Sequence, residues 1–349
     1  MSPSTANPLN VLVFGAGAIG GYLGGSLALQ GHQVVFLERR HNAPLLRERG
    51  LRLDLGGQTQ TLKDFGVVTS VEEALAFAPF DVALFALKSY DTAEALKSIQ
   101  PHAAALPPFL CLQNGVDNET ALAAVLGEDK VIAGTVTTAV AKDAPGQLRL
   151  ERLRGVGLHG GHPLSPRLFA VLADAGLRPR LYANAPALKW SKLLTNILVN
   201  ASCALLDRPP ADVLADARLF AVEIRQLREA LAVMRALGVP VVDVPGTPVR
   251  ALAAAARLPL PLCRLLVRGA VSRGRGGKMP SLHIDLYNGR GRSEVAWLNG
   301  AVARAGERLG IATPVNAFLS QTLSQLLSDN PAHNPYKNNP QAYLDAIPD

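Results

Sequence analysis

Short apolar segments alternate with helix-like segments through the first half of the chain. After the first apolar segment comes Ile19–Gln30, which is rich in small residues and stops at Gly31, as a helix does. The segments that predict buried strands are Val11–Phe14, Gln33–Leu37, Asp81–Leu87, Phe109–Leu112 and Val131–Val140, with Gly155–Leu158 as an edge strand. Strands that alternate with helices in this way predict an α/β domain with a doubly wound parallel sheet and helices on both faces.

The pattern changes near residue 183. From Pro186 to Leu237 the apolar spacing is helical, and no segment there alternates as a strand does. Arg292–Leu309 predicts a long helix that starts near Ser293 and ends at Gly310. The polar, Asn- and Pro-rich end of the chain predicts a loosely held tail. We therefore expect an α/β domain over residues 1–182, an all-helical C-terminal domain over 183–330, and a tail over 331–349.

The composition is that of a folded protein with two domains. The chain has 349 residues, of which 48% are apolar and 18% charged, and this length exceeds what one hydrophobic core usually organises. No run reaches the roughly 20 apolar residues of a membrane-spanning helix, and the polar N-terminus lacks a signal-peptide pattern, so we expect a cytoplasmic protein. Cys111, Cys203 and Cys263 lie far apart and outside any CxxC spacing, which predicts reduced thiols and no metal site.

The net charge of +7 would suit a nucleic acid, a membrane surface or an anionic small molecule as partner. Positive charge is concentrated in Arg264–Lys278, but this run contains no aromatic side chain, so platforms for stacking nucleic-acid bases are scarce. We expect a small-molecule substrate, with no nucleic acid and no membrane as partner. A basic surface that recruits nucleic acid is the alternative, and salt-sensitive retention on DNA would be its mark. The helical domain offers a surface through which a homodimer could form.

A glycine-rich motif follows the first predicted strand and opens the first predicted helix. The first glycine permits a tight turn, the second lets the backbone approach a pyrophosphate, and the third allows the helix to pack closely on the strand. The helix N-terminus then presents N–H groups and a positive dipole to that anion. This setting predicts a Rossmann domain that binds a nicotinamide dinucleotide. The six residues of the motif are Gly15, Ala16, Gly17, Ala18, Ile19 and Gly20.

The residues after the second strand carry opposing signals on the choice of cofactor. An acidic residue at this place bonds the ribose hydroxyls of NAD, whereas arginine accommodates the extra phosphate of NADP. Glu38 is followed by Arg39 and Arg40. Two adjacent guanidinium groups favour NADP, with Arg39 as a cofactor ligand, while Glu38 keeps NAD open.

Motifs along the chain resemble, in their order, those of the ketopantoate reductases (2-dehydropantoate 2-reductases). The resemblance spans about residues 11 to 316 and is far more specific than the glycine motif alone. It implies NADPH-dependent reduction of 2-dehydropantoate to pantoate, a step in pantothenate and coenzyme A synthesis. The matching motifs are Gly15–Gly20, Leu87-Lys88, Gln113-Asn114-Gly115-Val116, Gly134–Thr138, Trp190-Ser191-Lys192 with Asn196 and Asn200, Pro280-Ser281, and Ser293-Glu294 before Leu298-Asn299-Gly300.

The resemblance also implies roles for individual residues. Lys192 is similar to the family's general acid, and Glu294 to a glutamate that bonds the cofactor or orients that lysine. The residues implied to bind substrate are Lys192, Asn196, Asn200 and Ser281, and those implied to bind the cofactor are Lys88, Asn114 and Glu294 beside the glycine motif.

Physical reasoning about the same residues leads in a similar direction. Lys192, Asn196 and Asn200 have i, i+4, i+8 spacing, which on one helix places an ammonium and two amides along one face. Carbonyl reduction needs a hydride donor and a proton donor, and a cation stabilises the negative charge that grows on the carbonyl oxygen. From the residues alone, such side chains could equally cap or bridge neighbouring helices.

The chain departs from the best-studied family pattern on the substrate side. A basic, Pro- and Arg-rich stretch is inserted around Pro245–Gly277, one residue is inserted between Asp285 and Glu294, and a substrate-contacting asparagine of the family is missing near Pro209-Pro210. These changes leave open a related 2-oxo acid reductase with a different substrate. A nucleotide-sensing module without catalysis is a third hypothesis, which the presence of Lys192 and Glu294 disfavours.

Overall fold

A computed structural model describes residues 7–77, 79–266, 279–289, 291–329 and 331–348. The chain divides into two compact units. Unit 1 comprises Met1–Gln113, Asp117–Lys189 and Val244–Thr247, and unit 2 comprises Asn114–Val116, Trp190–Asp243 and Pro248–Asp349. Most of the basic run lies outside the described residues, since 267–278 are not among them.

The described residues of unit 1 form twelve strands in two sheets. The strands are β1 Asn10–Phe14, β2 Gln33–Leu37, β3 Leu51–Asp54, β4 Thr59–Leu62, β5 Gly66–Val68, β6 Val82–Phe85, β7 Phe109–Cys111, β8 Val131–Val136, β9 Ala139–Ala144, β10 Gln147–Arg152, β11 Val156–His159 and β12 Pro179–Tyr182. The helices of this unit are α1 Ala18–Ala28, α2 Ala43–Arg49, α3 Val71–Leu75, α4 Thr92–Ile99, α5 Asn118–Leu126 and α6 Ser165–Asp174.

The larger sheet has the order β12-β11-β8-β7-β6-β1-β2-β5, with β1 paired in parallel to β2 on one side and β6 on the other. Alternate residues of β1 enter different cores: Val11 and Val13 pack with α1 and α6, and Leu12 and Phe14 with α3, α4 and α5. The predicted doubly wound sheet is therefore confirmed. One pair, β8 with β11, is antiparallel. β11 is not the expected edge strand, because β12 pairs with it in parallel on its outer side.

A second sheet, with the order β4-β3-β10-β9, was not expected from the sequence. It packs on α1, where a Cβ on Gly21 would lie 2.6 Å from Leu148 Cδ1 and one on Gly25 would lie 2.6 Å from Leu51 Cδ2. The small residues of α1 therefore serve this second layer as well as the main sheet.

The expected single strand over Val131–Val140 is divided between the two sheets, as β8 and β9. Thr137 and Thr138 lie at the division. The Thr137 hydroxyl donates to the carbonyl oxygens of Gly155 and Pro245, and the Thr138 hydroxyl accepts from the Gly155 N–H at 2.9 Å. These side-chain bonds compete with strand pairing and fix the chain where it changes sheet.

Helices make up the regular structure of unit 2 in its described part. The helices bounded there are α7 Ala185–Ile197, which begins in unit 1, α8 Asn200–Leu206, α9 Pro210–Ala215, α10 Ala217–Ala236, α11 Val249–Ala256, α12 Ser281–Tyr287, α13 Asn299–Leu309, α14 Pro314–Asp329 and α15 Pro340–Ala346. The central helix, α10, begins where the Asp216 carboxylate accepts hydrogen bonds from the N–H groups of Arg218 and Leu219. None of the helices in the described residues has the length and apolarity that crossing a bilayer requires.

The long helix expected over Arg292–Leu309 is shorter in the structure. A 3-10 turn covers Val295–Trp297, and α13 begins at Asn299. Leu298, with φ −103° and ψ −93°, is not helical and separates the two. The sequence did not reveal this break, because the 3-10 turn and α13 have the same helical spacing of apolar residues.

The C-terminal tail is packed rather than loosely held. Tyr343 is fully buried, and the backbone N–H of Asn338 donates to Leu206 O at 2.9 Å. The Asp207 carboxylate contacts His283 Nε2 at 2.7 Å and Lys337 Nζ at 3.3 Å. The hydrogen bond from His283 holds the pKa of Asp207 below its usual value. Aromatic and charged side chains within a polar segment thus anchor it to unit 2.

Candidate functional site

The glycine-rich turn joins β1 to α1 at the carboxyl edge of the larger sheet. Gly15 has φ +89°, a conformation that favours glycine, and its N–H donates to Leu37 O at the end of β2. A Cβ on Gly20 would lie 2.0 Å from the carbonyl oxygen of Gly15, so the helix can approach the turn only without a side chain there. A Cβ on Gly17 would meet no protein atom within 4 Å. The space beside Gly17 is therefore open to a ligand, and α1 carries no acidic residue in its first turn to repel an anion.

Gly20→Ala is expected to affect mainly stability, and Gly17→Ala mainly cofactor binding. Gly20→Ala should lower the free energy of unfolding by about 1–3 kcal/mol, because its methyl group overlaps the turn. Gly17→Ala should cost less than about 1 kcal/mol of stability, the scale of a helix N-cap change, yet weaken NADPH binding at least tenfold by obstructing the pyrophosphate. Chemical denaturation and titration of NADPH fluorescence measure the two quantities. Wild-type affinity in Gly17→Ala would contradict the assignment of this turn to the dinucleotide.

Glu38, the acidic residue after β2, accepts hydrogen bonds from neighbouring residues of the chain. Its side chain is 9% exposed, and Oε2 accepts from the N–H of Ala16 at 2.8 Å. Its Oε1 accepts from the N–H of Arg39 at 2.9 Å and from Asn42 Nδ2 at 3.2 Å. Glu38 thus stabilises the glycine-rich turn. Arg39 is exposed and forms an ion pair with Asp91 at 2.6 Å.

Lys88 follows β6 and caps a 3-10 turn, Ser89–Asp91, on the same edge of the sheet as the glycine-rich turn. The Gln113 amide supports this segment by donating to Leu87 O at 3.0 Å and to Thr92 Oγ1 at 2.8 Å. The motif residue Gln113 therefore connects the ends of β6 and β7 in unit 1.

A buried lysine that sequence reasoning missed lies at the start of α7. Lys189 Nζ donates to Gln113 O at 2.6 Å and Gly134 O at 3.1 Å, and pairs with Glu119 at 2.7 Å. Both charged groups are largely withdrawn from solvent, at 5% and 18% side-chain exposure. The ion pair ties the start of α7 to α5, and the two hydrogen bonds tie it to β8 and to Gln113, after β7. Its sequence signal was a second lysine, three residues before Lys192 in the same predicted helical segment.

In unit 2, the predicted site residues form a connected chain of hydrogen bonds. Lys192 Nζ donates to Asn196 Oδ1 at 2.9 Å, and Asn196 Nδ2 donates to Asn114 Oδ1 at 2.9 Å. The three side chains are half-buried. The amide of Asn196 thus orients the ammonium group, and Asn114, from the Gln-Asn-Gly-Val motif, orients that amide.

Asn200 connects α8 to the helix that begins with Ser281. Its Nδ2 donates to Asn196 O at 2.9 Å and to Ser281 Oγ at 3.3 Å, and its Oδ1 accepts from the N–H of Leu282 at 3.0 Å. Asn200 is 4% exposed. The structure therefore brings Lys192, Asn196, Asn200 and Ser281 together through direct contacts, and Asn200 also fixes the start of α12.

Glu294 is 2% exposed and precedes the 3-10 turn Val295–Trp297. That turn lies against the Asn114–Val116 segment: a Cβ on Gly115, whose φ is +88°, would be 2.7 Å from Trp297 O. Only glycine fits this contact, which explains why a glycine follows Asn114. The turn after Glu294 thus approaches the backbone beside Asn114.

The spacing of Lys192, Asn196 and Asn200 led us to expect all three on one helix. In the structure they are divided between two helices. α7 ends at Ile197, Val199 has the left-handed φ of +56°, and α8 begins at Asn200. Hydrogen bonding by Asn200 restores the proximity that a continuous helix would have given.

Glu223, on α10, holds this helix break and was not singled out from the sequence. It is fully buried, and its Oε2 accepts from the N–H of Val199 at 2.5 Å and from Gln226 Nε2 at 2.5 Å. Its Oε1 accepts from the hydroxyl of Ser202, which in turn contacts Tyr343 Oη at 2.7 Å. Burial raises the pKa of the Tyr343 hydroxyl well above its usual value, so this group stays a donor. In the sequence, the signal for Glu223 was its position among the apolar residues Leu219, Phe220 and Leu227 of an amphipathic helix.

Comparison with known proteins assigns the chain to a family. The model of ketopantoate reductase PanE/ApbA matches residues 11–158, and the model of the C-terminal part of the same family matches residues 184–327. A 2-dehydropantoate 2-reductase from Halobacterium salinarum is 29% identical over 322 residues, which cover 88% of this chain and 95% of that protein. Another from Pyrococcus abyssi is 25% identical over 316 residues, 89% of this chain and 95% of that protein.

Solved structures share the fold over nearly the whole chain. A PanE/ApbA family ketopantoate reductase from Ralstonia eutropha JMP134 superposes with a TM-score of 0.78 at 29% identity, covering 93% of this chain and 100% of that one. D-mandelate dehydrogenase in its ternary structure with NADH and anilino(oxo)acetate has a TM-score of 0.76 at 21% identity, covering 92% and 98%, which shows the fold alone. Because the two family models together cover most of its length, the chain belongs to the ketopantoate reductase PanE/ApbA family of oxidoreductases, which act with a nicotinamide dinucleotide.

Proposed function

We propose that this protein reduces 2-dehydropantoate to pantoate with NADPH as the hydride donor. The observation that carries the proposal is the hydrogen-bonded chain from Lys192 through Asn196 to Asn114, which holds an ammonium group in a fixed direction. The relatives from Halobacterium salinarum and Pyrococcus abyssi are both named 2-dehydropantoate 2-reductase, which supports the choice of substrate.

The glycine-rich turn fits a dinucleotide, because the space beside Gly17 is open and Gly15 and Gly20 keep the turn tight. When bound, the reduced nicotinamide supplies the hydride. The Lys192 ammonium stabilises the negative charge that develops on the substrate's carbonyl oxygen and then donates a proton to it. Asn196 acts through its Oδ1, which keeps one N–H of the ammonium engaged and limits the directions of the others.

The remaining predicted residues fit roles around the acid group. Ser281 and Asn200 would bind the carboxylate and hydroxyl of the substrate, with Asn200 already bonded to Ser281 Oγ. Asn114, Lys88 and Glu294 would contact the cofactor, or in the case of Glu294 orient the lysine. These assignments follow the family resemblance and are supported by the contacts within each unit.

The arrangement of the charged side chains after β2 supports a preference for NADPH. Both oxygens of Glu38 already accept hydrogen bonds from the turn and its neighbours, so Glu38 is committed to structure. Arg39 and Arg40 are exposed beside it and suit a 2′-phosphate.

A panel of substrates and cofactors tests the proposal with purified protein. With NADPH, we expect the highest kcat/KM for 2-dehydropantoate. For 3,3-dimethyl-2-oxobutanoate, which lacks only the 4-hydroxyl group, kcat/KM should be about a hundredfold lower, because a polar pocket then loses its partner. With NADH in place of NADPH, the value for 2-dehydropantoate should fall.

The alternative, a 2-oxo acid reductase with a reshaped pocket, makes a different prediction for the same panel. Phenylglyoxylate, the oxo acid that corresponds to mandelate, would then be turned over faster than 2-dehydropantoate. Equal rates for 2-dehydropantoate and its analogue without the hydroxyl group would also count against the proposed substrate.

A further inference from the structure

The ion pair between Arg39 and Asp91 bridges two loops on opposite sides of the glycine-rich turn. Arg39 follows β2, and Asp91 follows β6. These strands flank β1, so their ends are separated by two strand spacings, about 10 Å. The pair, at 2.6 Å, therefore spans the carboxyl end of β1. After β1 the chain continues to β2 on one side of it, and it later forms β6 on the other side. In open α/β sheets this switch point is where ligands bind.

The two partners differ in how firmly they are held. The Asp91 side chain is 16% exposed and that of Arg39 is 55% exposed. The N–H of Asp91 also bonds to Lys88 O at 2.9 Å, which fixes the backbone of Asp91 on the turn that carries Lys88. Although Asp91 stands at the N-cap of α4, its side chain makes no capping hydrogen bond. The Asp91 carboxylate is thus the more confined partner, and the more exposed Arg39 guanidinium has more room to turn towards a ligand.

We propose that Asp91 is a specificity-determining residue that lowers the protein's preference for NADPH over NADH by competing with the 2′-phosphate for Arg39. This inference rests on the proposed function, in which Arg39 binds that phosphate. A dianionic phosphate must take Arg39 from Asp91 or share it with a nearby carboxylate of like charge. The uncharged 2′-hydroxyl of NADH does not compete for Arg39, so the ion pair between Arg39 and Asp91 remains intact when NADH binds.

Asp91→Asn tests the inference, because asparagine keeps the size of the side chain and is equally suited to an N-cap. We expect the Kd of NADPH to fall about three- to tenfold, the scale of one exposed ion pair plus a like-charge contact. The Kd of NADH should change less than twofold. The gain for NADPH should shrink at high ionic strength, since exposed charges are screened. Fluorescence titration of each cofactor measures these values without any substrate.

Two further variants separate the ion pair from general charge effects. Asp143→Asn is the matched control, because Asp143 pairs with Arg149 at 3.0 Å in the four-stranded sheet and both side chains are about half exposed. It should leave both Kd values unchanged. In an Arg39→Gln background, Asp91→Asn should improve NADPH binding by a smaller factor than in the wild type, since no guanidinium remains to be released and only the like-charge contact with the phosphate is relieved.

The outcomes distinguish failure of the inference from failure of the proposed function. If both cofactors bind and Asp91→Asn changes their Kd values by the same factor, the inference is overturned while the proposed function stands. An undiminished gain in the Arg39→Gln background, or an equal gain in Asp143→Asn, overturns it as well. If the wild type binds neither cofactor, both the proposed function and the inference are overturned.

Discussion

Lys192→Ala is expected to lower kcat for reduction of 2-dehydropantoate by about a thousandfold, within the 10²–10⁴ range of a general acid. In the proposed mechanism, removing the ammonium removes both the charge that stabilises the developing oxyanion and the proton that completes the reaction. Cofactor affinity should stay within about twofold of the wild type, because the proposed contacts to NADPH come from other residues. Steady-state kinetics and titration of NADPH fluorescence measure the two effects.

Lys192→Arg separates charge from proton donation. Arginine keeps the cation but holds its proton too tightly to donate it at neutral pH, so we expect kcat to recover only in part. Lys97→Ala is the matched control, since Lys97 is 75% exposed and pairs with Glu94 on the surface of α4. It should have wild-type kinetics. If Lys192→Ala keeps more than a tenth of the wild-type kcat, another group donates the proton and the mechanism is wrong.

The inner strands of the larger sheet could be predicted from the sequence because they are buried on both faces, whereas its edge strands β5 and β12 were not predicted. A strand such as Val11–Phe14 is a continuous apolar run that ends at glycine, and its neighbours in the sheet have the same character. The second sheet could not be predicted in this way. β4, Thr59–Leu62, is mostly exposed, and β10, Gln147–Arg152, alternates Leu with Gln, Arg and Glu. β4 gains its stability from pairing with β3, and β10 from packing on α1, and both are tertiary effects.

The proximity of the candidate site residues could be predicted, but the way the fold holds them together could not. Family resemblance pointed to Lys192, Asn196, Asn200 and Ser281, and the structure connects their side chains. Regular spacing suggested one helical face, whereas a left-handed residue, Val199, interrupts the helix. A β-branched residue in that conformation has no local sequence signal, because the group that stabilises it is 24 residues away on another helix.

That distant group is Glu223, and Glu223→Ala is expected to lower the free energy of unfolding of unit 2 by about 3–5 kcal/mol. Three buried donors, from Val199, Ser202 and Gln226, would lose their acceptor at once, and each such loss costs about 1–3 kcal/mol before relaxation. The left-handed conformation at Val199 would also lose its support. Trp190 and Trp297 both belong to unit 2, so tryptophan fluorescence during urea unfolding reports on this unit.

Glu223→Gln provides a graded comparison, because its amide keeps one acceptor oxygen but directs an NH₂ group at donors. We expect a smaller loss, about 1–3 kcal/mol, and a protein that still folds. In this variant kcat should fall as well, since Asn196 and Asn200 lie on either side of the break that Glu223 holds. Glu307→Ala, at an exposed position of α13, is the control and should stay within about 0.5 kcal/mol of the wild type. If Glu223→Ala unfolds at the same urea concentration as Glu307→Ala, the buried carboxylate does not hold the helix break, and the placement of the two asparagines must have another cause.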